Sequence, residues 1–375
     1  MRDKKKILIY INQICLRGGV EKVFYNLINN IDISKYDITV LTTVAYLKDD
    51  LKINIYGDKV KRYFLAYDEF SSHFMERTYE RIYNKIAHNI LRTYLSKQHW
   101  DVAIAAQEGC YAKFIADVNA DKKLLWIHND FNETDWSKKY FNNRREDEAK
   151  CYNEFDNVIC VSESVKNSIE RTLGLSDNLC VCYNPIDTKE IDEKVGEKVS
   201  EKRPKELLFL MVGRLSYQKG YDRVLKAVNE LNKEGYNFNI WILGDGEDRG
   251  SIEEYIKINK INNVELLGNK KNPFPYMKMA DCILSTSRFE GFNTALQEAA
   301  YIGKPIITTE CAGAKELLGD SEYGIVMKND DDEIYRTLKI VLDDNKIILN
   351  YQNKVREIKK FIDINQRIKK IESLF

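Results

Sequence analysis

LLFLMVGRLSYQKGYDRVLKAVNELNKEGYNFNIWILGDG, residues 207–246, consists of two apolar runs separated by a glycine-flanked loop and a helical pattern. The apolar runs are 207–213 and 239–246, and the helical pattern occupies 222–235. Continuous apolar runs of this length, separated by helices, are typical of parallel strands that are covered on both faces. The segment therefore predicts a strand–helix–strand unit of an α/β fold.

The same alternation continues along the chain in both directions. Further apolar runs that we interpret as strands lie at 7–11, 36–43, 101–107, 123–128, 157–162, 264–268, 280–286 and 305–309. The first series ends at the Asn184–Pro185 turn, which a run of charged residues follows. We therefore predict two doubly wound α/β domains, 1–187 and 188–354, and a helix over 355–375 that is free to pack back on the first. Ligands of such sheets bind beyond the carboxyl ends of the strands, so we expect the site in a cleft between the domains.

The composition is that of an ordinary globular protein. The chain has 375 residues, of which 44% are hydrophobic and 31% charged. Basic and acidic side chains balance at 58 each, which argues against a nucleic-acid partner. The eight cysteines include no CxxC pair, so we expect reduced thiols and a cytoplasmic location. The run at 7–11 is expected to be the first strand rather than a signal peptide, and no apolar run approaches the ~20 residues of a membrane span.

Residues 70–98 combine a basic face with an apolar stripe at helical spacing. The stripe and the bases include Phe70, Phe74, Tyr79, Tyr83, Ile90, Arg77, Arg81, Lys85, Arg92 and Lys97. One interpretation is a domain helix that packs its stripe on the sheet. The other is a helix that lies on the anionic inner face of a membrane, at the cytoplasmic side. The sequence leaves both open.

The segment SRFEGFNTALQEAA, residues 287–300, places two acids around a predicted helix start. Thr294 with Gln297 matches a capping box, so we expect the helix to begin at Thr294 and to present an anion site. Glu298 lies one turn inside this helix and Glu290 lies on the loop before it. Carboxylates repel a phosphate but accept hydrogen bonds from hydroxyls, and a ligand with both groups is a sugar nucleotide. The alternative is two solvated acids that the helix dipole stabilises.

Two other loops carry residues suited to phosphate. Arg214 and Lys219 follow the strand at 207–213, where an arginine can bind phosphate oxygens bidentately and a lysine acts as a point charge. Gly18 and Gly19 follow the first strand, and their missing side chains let the backbone approach a phosphate. Taken alone, Arg214 and Lys219 are also explained as ordinary surface bases, and Gly18 and Gly19 as a tight turn.

Four segments, in this order, resemble the nucleotide-sugar-dependent glycosyltransferases of the large retaining family 4. They are GGVEK, GRLSYQKG, LGDGEDR and EGFNTALQEAAYIGKPIITT, and the resemblance covers roughly residues 7–320. The resemblance is specific because the two glutamates eight positions apart occur together with the GR and KG of GRLSYQKG; none of these motifs is specific alone. The resemblance implies the α/β GT-B architecture, in which two doubly wound Rossmann-like domains face each other across a cleft.

Residue by residue, the resemblance implies catalytic roles for Glu290, His128, Arg214 and Lys219. Glu290 would contact donor-sugar hydroxyls, while Arg214 and Lys219 would hold the diphosphate. His128, on the first domain, would face the donor sugar. The resemblance implies further donor-binding roles for Gly18, Gly19, Gly268, Asn269, Phe292, Asn293, Thr294 and Glu298, the last at the ribose hydroxyls. Asn293 departs from the family, which has a small residue or proline there.

The implied reaction is retaining transfer of a hexose or N-acetylhexosamine from a nucleoside-diphosphate sugar, with UDP the commoner nucleotide of the family. The implied acceptor is a glycan, a lipid-linked glycan or a teichoic-type polymer of cell-surface polysaccharide synthesis. No cofactor or metal is expected. The acids Asp330–Asp332 lie beside a polar turn, and the family uses the turn at Asp245 structurally.

Other functions on the same architecture stay open. An epimerase would isomerise a sugar nucleotide without an acceptor, and a non-catalytic module would bind one without turnover. A phosphorylase would need a pyridoxal lysine site and a longer chain. A dinucleotide-dependent dehydrogenase is disfavoured, because no GxGxxG follows the first strand of either domain.

Overall fold

A computed structural model describes residues 4–12, 18–42, 60–64 and 89–375. The chain divides into two compact units. The first comprises Met1–Pro185 and Asn365–Phe375, and the second comprises Ile186–Ile364. The division falls two residues before the boundary proposed from the sequence, and the second unit continues beyond 354.

The described part of the first unit contains a seven-stranded parallel sheet of order β3-β2-β1-β4-β5-β6-β7. Its strands are β1 Lys5–Ile11, β2 Tyr36–Thr42, β3 Lys61–Phe64, β4 Trp100–Ala105, β5 Ala120–Ile127, β6 Asn157–Cys160 and β7 Leu179–Val181. The consecutive residues of β1 from Ile7 to Ile11 are all buried, so both faces of the sheet are covered. The strand order reverses between β1 and β4, which is the switch point where doubly wound sheets bind ligands.

The described part of the second unit contains a six-stranded parallel sheet of order β10-β9-β8-β11-β12-β13. Its strands are β8 Leu207–Val212, β9 Phe238–Leu243, β10 Val264–Gly268, β11 Cys282–Ser285, β12 Ile306–Thr309 and β13 Ile325–Met327. The switch point here lies between β8 and β11, whose register pairs Cys282 with Phe209. The segment 207–246 forms the predicted strand–helix–strand unit, β8 to β9.

Helices connect the strands of both sheets. In the first unit they are Gly19–Asn30, 89–97, Cys110–Ala116, Trp136–Tyr140, Arg145–Asn153 and Glu163–Leu173. In the second unit they are Thr188–Lys194, Tyr221–Lys233, Arg249–Ile258, Phe274–Met279, Thr294–Ile302, Ala314–Leu318, Asp331–Asp343 and Lys346–Lys354. Of the segment 70–98, residues 70–88 lie outside the described residues. None of the described helices is long and apolar enough to cross a bilayer.

The prediction of one continuous helix over 355–375 is wrong. Val355–Lys360 forms a 3₁₀ helix, and a separate α-helix spans Ile364–Glu372. The break falls where the chain passes from the second unit to the first. Val355–Lys360 packs on helix Thr294–Ile302, whereas the first unit binds the end of the chain through a hydrogen bond of 3.0 Å from Lys5 Nζ to the Phe375 carbonyl.

Candidate active site

The loops that carry the predicted donor site of the second unit leave two neighbouring strands. Arg214 and Lys219 follow β8, and residues 286–294 follow β11. Because β8 and β11 run parallel and pair directly, both loops emerge at the same edge of the sheet. This edge is the switch point, where open α/β sheets bind their ligands.

Lys219 and Glu290 form an ion pair across these two loops. Lys219 Nζ lies 2.5 Å from Glu290 Oε1, and the two side chains are 20% and 10% exposed. The same oxygen accepts hydrogen bonds from Ser287 Oγ at 2.7 Å and from Asn293 Nδ2 at 3.2 Å. Three donors therefore converge on one carboxylate oxygen, and a ligand phosphate would have to compete with Glu290 for the lysine.

Arg288 binds the two loops to each other and was not predicted. Its guanidinium makes two hydrogen bonds of 2.8 Å to the carboxylate of Asp222 and lies 4.0 Å from the centroid of the Tyr217 ring. Hydrogen bonding to Arg288 lowers the pKa of Asp222. The Arg288 amide also donates to the Gln218 carbonyl at 2.7 Å. These contacts fix the position of the loop that carries Lys219.

Arg223 makes a second connection that sequence reasoning missed. It is only 3% exposed, and its guanidinium donates to the Thr286 carbonyl, to Asn329 Oδ1 and, at 2.6 Å, to Asp331 Oδ1. Asp331 is thus a structural partner of this arginine. Asp330 caps helix Asp331–Asp343 by accepting from two of its amides.

Two glycines allow the close approach of the loops. Gly220 has a φ of +68°, and a Cβ atom there would lie 2.2 Å from the Thr286 carbonyl oxygen. At Gly244 a Cβ atom would lie 1.9 Å from the Gly213 carbonyl oxygen. The turn after β9 therefore packs its backbone directly on the loop after β8, which agrees with the structural role expected for the LGDGEDR turn.

Helix Thr294–Ile302 begins at the predicted residue, but the predicted capping box is wrong. The N-cap is Asn293, whose Oδ1 accepts from the amides of Ala295 at 3.1 Å and Leu296 at 3.4 Å. Asn293 precedes Thr294 and occupies the cap position, and the Gln297 side chain donates to the Asn293 carbonyl at 3.5 Å. The Asn293 side chain caps the helix with its oxygen and holds Glu290 with its nitrogen.

The other predicted residues of the second unit lie around this cluster or at the same sheet edge. Arg214 is exposed and makes no hydrogen bond or ion pair with the part of the chain that the structure describes. Glu298 is 4% exposed, one turn inside the helix. Phe292 is 5% exposed and its ring packs towards Phe361, so its side chain belongs to the core. Gly268 and Asn269 lie at the carboxyl end of β10, the outermost strand.

The remaining predicted residues lie on the first unit, beyond β1 and β5. Gly18 and Gly19 stand at the start of helix Gly19–Asn30. His128 follows β5, and its Nε2 lies 3.1 Å from the Ala106 carbonyl oxygen. Burial lowers the pKa of His128 to about 4, so the imidazole is neutral at neutral pH. Because a carbonyl can only accept, Nε2 carries the proton and Nδ1 is the acceptor of this ring.

Glu108, which sequence reasoning missed, holds the backbone next to His128. Its Oε1 accepts from the amide of His128 at 2.7 Å and from the amide of Asn129 at 3.0 Å. The side chain is 4% exposed, and burial raises the pKa of Glu108 to about 7. Its position just after the run 101–107 was the signal that could have found it, because polar residues at strand ends line ligand sites.

Within the described residues, no group of three or more His, Cys, Asp or Glu side chains could hold a metal ion. In the second unit, the polar groups around Glu290 are the Asn293 amide, the Ser287 hydroxyl and the Lys219 ammonium. Such groups suit a ligand that presents an anion beside several hydroxyls.

Two family models match nearly the whole chain between them. The model described as Glycosyltransferase Family 4 matches residues 17–190, and the model described as Glycosyl transferases group 1 matches residues 192–360. The chain is 24% identical over 294 residues to a Campylobacter jejuni protein, N-acetylgalactosamine-N,N'-diacetylbacillosaminyl-diphospho-undecaprenol 4-alpha-N-acetylgalactosaminyltransferase. This match covers 77% of each chain. A second relative, the capsular polysaccharide biosynthesis glycosyltransferase CapM of Staphylococcus aureus, is 23% identical over 46% of this chain and 48% of its own.

A solved structure supports the fold. The crystal structure of Anabaena HepE in complex with UDP and glucose matches with a TM-score of 0.74, 15% identity and coverage of 98% of each chain. This likeness confirms the predicted fold class, the GT-B fold with two Rossmann-like parallel sheets. From the two family models and the sequence relatives, the chain belongs to glycosyltransferase family 4 and is an enzyme that transfers glycosyl groups.

Proposed function

We propose that this enzyme transfers a hexose or N-acetylhexosamine, with retention, from a nucleoside-diphosphate sugar whose nucleotide is UDP. The observation that carries the proposal is the convergence of Lys219, Ser287 and Asn293 on Glu290 at the switch point of the second sheet. This cluster offers a cation and a carboxylate within 2.5 Å of each other. A donor presents the complementary pair, a diphosphate and sugar hydroxyls.

The donor exchanges partners with the Lys219–Glu290 ion pair. Lys219 turns from the carboxylate to the diphosphate, and Arg214, exposed and without a partner among the described residues, provides a second positive charge. Glu290 is then available to accept hydrogen bonds from donor-sugar hydroxyls. Fixed cations of this kind stabilise the negative charge that grows on the leaving group, commonly by ~3–4 kcal/mol per well-placed donor.

A front-face route agrees with the contacts of Glu290 better than a covalent intermediate does. Because Ser287 and Asn293 still hold Oε1 after Lys219 turns to the diphosphate, Glu290 is a poor nucleophile. In the front-face route the bond from the anomeric carbon to the phosphate oxygen breaks, and the acceptor oxygen bonds to the same face. The acceptor proton passes to the departing phosphate. No metal or cofactor takes part.

We propose that the acceptor is a glycan, a lipid-linked glycan or a teichoic-type polymer of cell-surface polysaccharide synthesis. The names of the Campylobacter jejuni relative and of CapM support this acceptor class.

The proposed location is the cytoplasm, at the inner face of the membrane. Ile90 and Tyr94, four positions apart in the helical residues 89–97, are 66% and 54% exposed and would meet that surface. Reduced flotation of Ile90→Asp with phosphatidylglycerol vesicles would support this contact, and equal flotation of both proteins would contradict it.

The test is a transfer assay with a panel of UDP- and GDP-sugars and glycan acceptors. The anomeric configuration of the product is determined by NMR, and a parallel arm contains EDTA. We expect a retained configuration, unchanged rates with EDTA and loss of turnover in the double variant Arg214→Ala with Lys219→Ala. The control is Lys226→Ala, which removes an exposed lysine of the neighbouring helix.

Three outcomes contradict the proposal. An inverted product excludes retention, and activity that EDTA removes and Mn²⁺ restores excludes the metal-free route. Wild-type rates in the double variant exclude this diphosphate site. An epimerase would isomerise the donor without an acceptor, and a non-catalytic module would bind it without turnover.

A further inference from the structure

Glu108 is a buried acid that the proposed reaction does not use directly. We infer that Glu108 is a positioning residue, which fixes His128 for glycosyl transfer by binding the amides of His128 and Asn129. Both hydrogen bonds converge on Oε1, at 2.7 and 3.0 Å. The inference rests on the proposed function, because it takes His128 to act on the donor sugar.

Burial of the Glu108 carboxylate is costly. Glu108 is 4% exposed, and among the described residues only hydrogen bonds, and no cation, stabilise its charged form. A buried acid without a cation costs several kcal/mol unless hydrogen bonds compensate it. Here the compensation comes from the amides of His128 and Asn129 in the turn after β5, together with the Asn129 side chain and the amide of Glu108 itself, so the acid and this turn depend on each other.

The loop after β4 fixes His128 at two points. Ala106 accepts the imidazole Nε2–H at 3.1 Å, which sets the tautomer and the ring orientation. Glu108 holds the backbone amide of the same residue. Residues of one short segment thus bind both the ring and the backbone of His128. Because Nε2 donates to Ala106, Nδ1 is the ring atom that can accept a hydrogen bond from a ligand.

The segment that carries Glu108 is itself held in place. The amide of Gly109 donates to the Tyr152 hydroxyl at 3.3 Å, and this hydroxyl donates to Glu148 Oε1 at 3.0 Å. Gly109 has a φ of +74°, and a Cβ atom there would lie 2.5 Å from Cδ2 of Tyr140. Helices Trp136–Tyr140 and Arg145–Asn153 thus fix the loop that fixes His128. This support explains how a single carboxylate can orient the turn.

The first test compares Glu108→Gln with Glu108→Ala in the full chain. The glutamine oxygen can accept both amides, whereas alanine leaves them unpaired. We expect kcat to fall at least ~10-fold in the alanine variant and less than ~3-fold in the glutamine variant. Nucleotide affinity should stay within about twofold in both, since Lys219 and Glu290 lie on the other unit. In a His128→Ala background, Glu108→Ala should lower kcat no further.

The second test does not depend on turnover. The sequence has only four histidines, so ¹⁵N-histidine labelling gives four amide resonances, and His128→Ala identifies the one of His128. Glu108→Ala should shift this resonance upfield and accelerate its hydrogen exchange, whereas Glu108→Gln should change it little. An unchanged resonance in Glu108→Ala would overturn the positioning role, whatever the transferase activity.

The pH dependence of the same resonance separates Glu108 from its neighbours. The titratable groups around Glu108 are His128, Tyr152, Glu148 and Cys160. Burial raises the pKa of Glu148 to about 7 as well, so Glu148→Gln is the matched control. The resonance should titrate near pH 7 in the wild type and in Glu148→Gln but not in Glu108→Gln.

The two proposals can fail separately. If the wild type transfers sugar from no donor of the panel, the proposed function fails and the His128 resonance still decides the positioning role. If the resonance responds to Glu108→Ala but kcat is unchanged, Glu108 orders the turn without serving transfer and the inference is wrong.

Discussion

The Lys219–Glu290 pair joins two residues that the family resemblance assigns to different parts of the donor. Each is 71 positions from the other in sequence, yet their charged atoms lie 2.5 Å apart. Without ligand, each charge compensates the other in a partly buried place. In the proposed function a donor separates the pair: Lys219 binds the diphosphate and Glu290 accepts from the sugar hydroxyls, so binding energy is directed to both parts of the donor.

Glu108 and His128 make opposite contributions to the pH dependence of stability. The pKa of Glu108 rises from an ordinary 4.5 to about 7, so the folded state keeps a proton that the unfolded state has lost. This contribution to the free energy of unfolding is lost as pH rises from about 4.5 to about 7. The pKa of His128 falls from an ordinary 6.5 to about 4, so its contribution is lost as pH falls through that window.

We predict that Glu108→Gln removes the pH dependence of stability that Glu108 causes and leaves the one that His128 causes. Relative to the wild type, its free energy of unfolding should rise by up to about 3 kcal/mol between pH 4.5 and pH 7 and then stay level. Urea unfolding of both proteins across this range measures the difference. Parallel stability curves would contradict a raised pKa at Glu108.

In the second unit, a few contacts between loops position the loop after β8 and helix Thr294–Ile302. Gly220 brings the loop after β8 against the backbone at Thr286, while Asn293 starts helix Thr294–Ile302 beside Glu290. The start of this helix was predictable, because its apolar spacing is local. Its cap was predicted one residue late, since adjacent residues of similar chemistry both fit a capping pattern.

Short elements and long-range contacts could not be predicted from the sequence. The strands β3, β7 and β13 have four, three and three residues, too few to show a periodic pattern. Arg288 and Arg223 bind acids 66 and 108 positions away, and nothing local to either arginine indicates such a partner. The helix over 355–375 was predicted as continuous because its periodicity persists across the passage between the units.

We predict that Gly220→Ala destabilises the second unit more than Gly235→Ala does. Both glycines have a positive φ, +68° and +86°, so each alanine carries a left-handed strain of ~1–2 kcal/mol. Only Gly220 also faces a carbonyl oxygen, at 2.2 Å from the added Cβ, whereas nothing lies within 4 Å at Gly235. Thermal unfolding should show a larger loss of Tm for Gly220→Ala, and equal losses would contradict the close approach of the loops.

We predict that Asn293→Ala and Asp330→Ala have similar effects on stability and different effects on binding. Each removes an N-cap that accepts from two helix amides, at a cost of ~1 kcal/mol. Asn293 also donates to Glu290, so only Asn293→Ala should weaken nucleotide-sugar affinity, by roughly 10-fold. Affinity by calorimetry and Tm are measured on both variants. Equal affinities would show that Asn293 acts as a cap alone.

The fold and family were predictable from sequence because they depend on long apolar runs and on motifs of several residues. The family models match both units, and the structural likeness extends over 98% of the chain. The residues proposed to bind the donor follow from the resemblance and from the geometry around Glu290.

We propose that the loops after β8 and β11 hold a nucleoside-diphosphate sugar. Calorimetric titration with the donor that best protects the wild type from thermal unfolding tests it most directly. We predict that Lys219→Ala and Glu298→Ala weaken this affinity at least ~10-fold, while Lys226→Ala leaves it unchanged. Wild-type affinity in both site variants, or a wild type that binds no nucleotide sugar at all, would contradict the claim.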